Sequence, residues 1–137
     1  MKYLISVVFS ILALPVQAET WLHVYGRSWH DQPGYRDVNT GIGIEKRLVD
    51  RWTWAVGTFQ NSLDRQSVTV LAKYAAYQHG NLAVNWQLGG VTGYRHYTVA
   101  PVILPELCVS WVCGMFVPRI GSEITAAGAF YLRVPYE

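Results

Sequence analysis

The chain has 137 residues, 51% of them hydrophobic, with six Trp, nine Tyr and four Phe, and its 11 basic residues nearly balance its 9 acidic ones. That length suits one domain. Charges scattered along the chain, without basic or acidic blocks, give no nucleic-acid footprint.

Met1 to Ala18 reads as a cleaved secretory signal: Lys2 is a basic start, Leu4 to Leu14 an apolar run, and Val16-Gln17-Ala18 a small-x-small cleavage site. A spanning helix needs about 20 apolar residues, and Pro15, Gln17 and Glu19 stop the run before that. The mature chain, residues 19–137, is then a single domain. Its aromatic density, with abundant glycine and no helical periodicity, matches the two interfacial girdles of a membrane barrel.

Two-residue alternation recurs along the mature chain. Trp52, Trp54 and Val56 alternate with Thr53, Ala55 and Gly57; Val68, Val70, Ala72 and Tyr74 with Thr69, Leu71 and Lys73. Leu82, Val84, Trp86 and Leu88 alternate with Ala83, Asn85 and Gln87, and Phe130, Leu132, Val134 and Tyr136 with Tyr131 and Arg133. Turn residues break the chain at Asp31-Gln32-Pro33-Gly34, Val49-Asp50, Ser62-Leu63-Asp64-Arg65, His79-Gly80-Asn81, Arg95-His96, Cys113-Gly114 and Gly121-Ser122. The predicted strands are about 20–30, 37–47, 51–61, 66–78, 81–94, 102–111, 113–119 and 124–136. A transmembrane strand takes about 9 to 11 residues, so these strands nearly exhaust the chain.

The predicted fold is therefore all-β, an eight-stranded antiparallel transmembrane β-barrel in the outer membrane. A soluble barrel or sandwich would carry the same alternation with its apolar face inside. Trp-rich faces and the secretory signal favour the membrane version. An even strand number puts both ends on the periplasmic side and Ser62 at the external rim.

The candidate site residues follow the same order. His23 lies on the first strand among Trp21, Tyr25 and Arg27, and His30 sits nearer its outer end. Asn61-Ser62 closes the third strand, although Asn-Ser-x-Asp is also ordinary turn composition. Cys108 and Cys113 can close a disulfide across the hairpin of strands six and seven, as an oxidising compartment favours. No histidine or carboxylate cluster near them in sequence suggests a metal.

Several segments, in this order, are similar to the outer-membrane lipid A palmitoyltransferase family. They are Trp21-Leu22-His23, Gly41-Ile42-Gly43, Gly57-Thr58-Phe59-Gln60-Asn61-Ser62, Gly89-Gly90-Val91-Thr92-Gly93, Pro101-Val102-Ile103-Leu104-Pro105 and Val117-Pro118-Arg119-Ile120-Gly121. The resemblance implies an eight-stranded monomeric barrel that moves an acyl chain from phospholipid to lipid A without a cofactor. His23 takes the histidine role, Ser62 the serine role, and Asn61 the place of an aspartate. Ser-His pairs supply the activated hydroxyl and the acid/base group that ester chemistry needs. Asparagine can orient a histidine but brings no charge, a change that costs about 10⁴ in a Ser-His-Asp system; Asp64 could substitute if its loop folds back.

Gly41, Gly43, Gly57 and Gly89 share the interior parity, so they either open a slot for an acyl chain or relieve crowding where the sheet bends. Pro101 and Pro105, which give no ladder hydrogen bond, mark either a weak seam for lateral lipid access ahead of strand six or an extended loop leading into it. Two features depart from the family: only Glu19 and Thr20 stand between the cleavage site and Trp21, where the family has an amphipathic helix, and Tyr136 is one place short of the usual terminal aromatic. The alternatives are a lipid A 3-O-deacylase-like esterase and a non-catalytic barrel.

Overall fold

The computed structural model describes residues 19–94, 97–117 and 126–136. The signal segment, the Arg95-His96 and Gly121-Ser122 breaks and the Pro118-Arg119-Ile120-Gly121 motif lie outside those residues.

Eight antiparallel strands close into one barrel: β1 (Thr20–His30), β2 (Val38–Val49), β3 (Trp52–Gln60), β4 (Gln66–His79), β5 (Leu82–Val91), β6 (Ala100–Val109), β7 (Val112–Val117) and β8 (Ala127–Pro135). Each strand pairs with its successor, and β8 returns to β1 through the register Trp21 to Pro135 and His30 to Ala127. Closure leaves no sheet edge exposed at either terminal strand. The connections β2–β3, β4–β5 and β6–β7 are tight and lie at one end, here the turn end. The other four make the loop end.

The predicted strands are all present, with several ends displaced: β2 runs on to Val49, and the β6–β7 turn falls at Ser110-Trp111 and not at Cys113-Gly114, which lie inside β7. β5 stops at Val91 instead of continuing to Tyr94, because Gly93 adopts a φ of 91° that takes the chain out of the extended region. β8 begins at Ala127. β6 begins at Ala100, so Pro101 and Pro105 lie inside the strand, opposite Gly90 and Trp86 of β5, and not ahead of it. Along its other edge β6 pairs with β7 only from Glu106 to Val109. Among the described residues, Ala100 to Pro105 therefore has a ladder partner on one side alone, where prolines are tolerated.

The two faces of the sheet are inverted relative to a water-soluble barrel. Ile42 (68% exposed), Ile103 (67%) and Trp29 (59%) belong to a continuous apolar exterior that also carries Val70, Leu107, Phe116 and Phe130. Inside, the fully enclosed side chains include Glu45, Lys73, Gln87, Glu106 and Arg133.

One irregularity changes which residues of β1 face inward. A β-bulge between Tyr25 and Arg27 shifts the register against both β2 and β8. An extra residue reverses the alternation beyond it. Trp21, His23 and Tyr25 point in before the bulge; after it Ser28 and His30 turn toward the interior while Arg27 and Trp29 are exposed.

Candidate functional site

The turn-end half of the interior is filled by a closed network of charge. Glu45 on β2 accepts hydrogen bonds from His23 Nε2 (2.8 Å), Thr53 Oγ1 (2.8 Å), Lys73 Nζ (2.8 Å) and both Arg133 Nε (3.0 Å) and Nη2 (2.6 Å). Lys73 also reaches Glu106 at 2.8 Å, and Glu106 further accepts from Asn85 at 2.9 Å, from Gln87 and from the Tyr131 hydroxyl. Two carboxylates are thus matched by one ammonium and one guanidinium. Buried charge is tolerable only when paired and saturated with hydrogen bonds; here Glu45 and Glu106 are each 1% exposed. Arg133 stacks 4.0 Å from the Trp21 ring, which closes the network toward the turn end.

His23 belongs to this network. Its Nε2 donates to Glu45, which fixes the Nε2–H tautomer, and the Tyr25 hydroxyl lies 3.4 Å from Nδ1. In the ladder His23 stands opposite Gly43, and Gly43 opposite Gly57. Ser62 is five residues further along from Gly57, about 16 Å of extended chain at ~3.3 Å per residue. His23 and Ser62 line the same cavity, and the Nε2 of His23 is held by Glu45.

Above the network, toward the loop end, the barrel is hollow. A cavity of about 170 Å³ has His23, Lys73 and Tyr131 at its floor and Leu71, Val102, Leu104, Met115 and Val117 along its wall. His30, Ser62 and Tyr94 line its upper part. The stretch of β6 that, among the described residues, is paired only with β5 contributes Val102 and Leu104, so the cavity wall and the β6–β7 seam coincide.

His30 is the last residue of β1 and enters the cavity because of the bulge. Its ring stacks on Tyr35 with centroids 4.7 Å apart, and its buried Nδ1 has no hydrogen-bond partner. The negative charges acting on it are Asp37 and Asp31. The loop that carries Tyr35 also meets Ser62 directly, since Arg36 N donates to the Ser62 carbonyl at 2.9 Å. Tyr94, in the β5–β6 connection, lies beside the Ser62 side chain in the same cavity.

Asn61 is engaged elsewhere than at an imidazole. Its amide nitrogen donates to Ser67 Oγ (2.9 Å) and the Gly93 carbonyl (3.0 Å), and its oxygen accepts from the backbone of Leu63 (2.9 Å) and Arg65 (3.1 Å). Those bonds use the two donors and two acceptor positions of the side chain. Asp64, with a φ of 60°, turns outward to an exposed ion pair with Arg36 at 2.7 Å and to Gln60. It does not fold back on either histidine.

The four interior glycines do not line the cavity. A Cβ on Gly57 would sit 2.4 Å from the Tyr25 hydroxyl, and one on Gly43 3.0 Å from it, so this pair makes room for the Tyr25 ring. Gly41 and Gly89 lie against backbone, 2.2 Å from the Thr58 oxygen and 2.0 Å from the Val70 oxygen for an added Cβ. They permit close strand approach and do not form an acyl slot. Pro101 and Pro105 face outward at the seam.

Cys108 and Cys113 are directly opposite on β6 and β7, with Cα atoms 4.1 Å apart, and are joined by the predicted disulfide. Both point into the turn-end half beside Asn85 and Glu106. Glu106 and the two sulfurs lie close together. With both sulfurs bonded to each other they are not thiolate ligands for a metal.

Sequence reading missed Glu45, Glu106 and Tyr94, and it left Lys73 and Arg133 without a role. The available signal was parity: each of the four charged residues sits mid-strand on the face opposite the apolar series. A scan against protein-family models finds no match, and no curated protein is matched by the sequence.

Proposed function

We propose that this chain is an outer-membrane barrel that transfers a fatty acyl chain from phospholipid to lipid A, with Ser62 as the reacting hydroxyl and His30 as its acid/base partner. The observation that carries the proposal is the loop-end cavity. It joins a serine and a histidine with a free ring nitrogen to an apolar channel whose wall includes a stretch of β6 that, among the described residues, has a ladder partner on one side alone. The apolar exterior supports a membrane location, with Trp29 and Tyr97 exposed near the loop end and Tyr77 and Tyr136 near the turn end, as interfacial girdles require.

In this reading the donor's acyl chain lies against Leu71, Val102, Leu104 and Met115, and its ester faces Ser62. His30 accepts the Ser62 proton as Oγ attacks the ester carbonyl, and returns that proton to the departing lysophospholipid oxygen. A lipid A hydroxyl then attacks the acyl-serine, and its proton passes through His30 back to Ser62. Asp37 and Asp31 supply negative charge near the imidazolium. His23 is a floor residue held by Glu45 and has no part in proton transfer.

Mass spectrometry of lipid A from cells with and without the protein tests this reading. A gained acyl chain is expected, and it should vanish in Ser62→Ala. His30→Ala should lose it by about 10²-fold or more, whereas His23→Gln should retain transfer in whatever fraction folds. A lost acyl chain would point to hydrolysis, and unchanged lipid A under membrane stress would remove both enzymatic readings.

A further inference from the structure

Asn61 is far in sequence from Gly93, the residue before Tyr94, but the two meet beside the cavity. The start of the β5–β6 connection is tied to the β3–β4 turn by Asn61 Nδ2 to the Gly93 oxygen (3.0 Å) and by Ser67 Oγ to the Thr92 oxygen (2.6 Å). Thr92 N to Val68 O (3.0 Å) and Val68 N to Thr92 Oγ1 (2.9 Å) complete the tie. Asn61 and Ser67 are both fully enclosed at its centre. Gly93 fits there because a Cβ would lie 2.8 Å from Ser67 Oγ and 2.9 Å from Asn61 Nδ2. From that pinned glycine the chain delivers Tyr94 to the cavity beside Ser62, the two residues flanking the Asn61–Gly93 bond.

We propose that Asn61 is a clamp that positions Tyr94 against Ser62, and that the Tyr94 hydroxyl stabilises the negative charge that develops where Ser62 attacks a carbonyl or phosphoryl centre. The inference rests on reading Ser62 as the reacting serine. It assigns Asn61 a positioning role that an aspartate could not fill. An aspartate would set one oxygen against the Gly93 carbonyl and against Ser67 Oγ, whose own hydrogen is already given to Thr92. Burial raises the Tyr94 phenol above its usual range, against the smaller lowering effect of Ser62, so it remains a donor at neutral pH. A preorganised donor aimed at developing charge is worth about 10² to 10³ in rate.

The test uses the folded barrel in detergent micelles and an alkyl fluorophosphonate, which replaces its P–F bond with a bond to Ser62 Oγ as fluoride leaves and His30 takes the proton. Heat-dependent gel mobility reports whether each variant is folded. Tyr94→Phe, which removes a single oxygen, should slow labelling by about 10²-fold. Asn61→Asp should slow it to a similar level, and the double variant should fall no further, because the two residues act as one unit. The proposal is overturned if Asn61→Asp labels as fast as the parent or faster, as an aspartate orienting a histidine would give. It is equally overturned if Tyr94→Phe is unaffected or if the parent protein is not labelled at Ser62. Lipid A acylation measured on the same variants separates the two claims. Labelling that depends on Tyr94 with no lipid A change keeps the clamp and removes acyl transfer; acylation lost in Ser62→Ala but intact in Tyr94→Phe does the reverse.

Discussion

The two halves of this barrel solve opposite problems with the same strands. At the turn end, Glu45, Lys73, Glu106 and Arg133 fill the bore with mutually neutralised charge, and the Cys108–Cys113 bond fastens β6 to β7. At the loop end the bore is open, its wall is aliphatic, and among the described residues β6 is paired there on one side alone. Rigidity and space are thus segregated along the axis. A hollow bore costs contacts, and here the filled half supplies those that the hollow half lacks.

The contrast can be broken most severely at Lys73. Replacing it with Met leaves Glu45 and Glu106 facing each other with one cation fewer, and losing one member of a buried ionic set costs about 3 to 5 kcal/mol. Urea unfolding in micelles followed by Trp fluorescence should show a loss of that size; a shift below ~1 kcal/mol would mean the network does not hold the barrel closed. Removing the disulfide with the Cys108→Ser/Cys113→Ser pair acts on the same half through a short loop, so about 2 kcal/mol is expected by the same measurement. The smallest stability effect belongs to the hollow half. Leu104→Trp adds bulk where a packed core would resist by about 1 to 3 kcal/mol, and the cavity should reduce that to ~1 kcal/mol or less while blocking acyl transfer. A larger destabilisation would show that the wall is packed after all, and unimpaired transfer would place the acyl chain elsewhere.

Sequence reading was strongest where a single strand carries its own evidence. Trp86 against Gln87, or Phe130 against Tyr131, announces a face without reference to any neighbour, and Gly80 or Pro33 announces a break. It failed where the deciding contact is distant or where the period slips. Strict alternation puts His30 on the face opposite His23, and only the bulge after Tyr25 turns it inward. Nothing in Tyr25-Gly26-Arg27 compels that extra residue; pairing with β2 and β8 does. Asn61 read as half of a catalytic pair because its partners, Ser67 and Gly93, become neighbours only when β3, β4 and β5 assemble. The glycines gave the right face but the wrong purpose, since the ring that claims the space over Gly43 and Gly57 comes from Tyr25 on another strand.

The charged plug also bears on permeability. A hydrated ion travelling down the bore would meet, at the level of Glu45 and Lys73, fixed charges of both signs already saturated by one another and enclosed by Trp21, Tyr131 and Gln87. Such a layer offers the ion charges that are already paired with one another. In the membrane setting proposed above, that layer of paired charge beneath the cavity is expected to oppose ion flow.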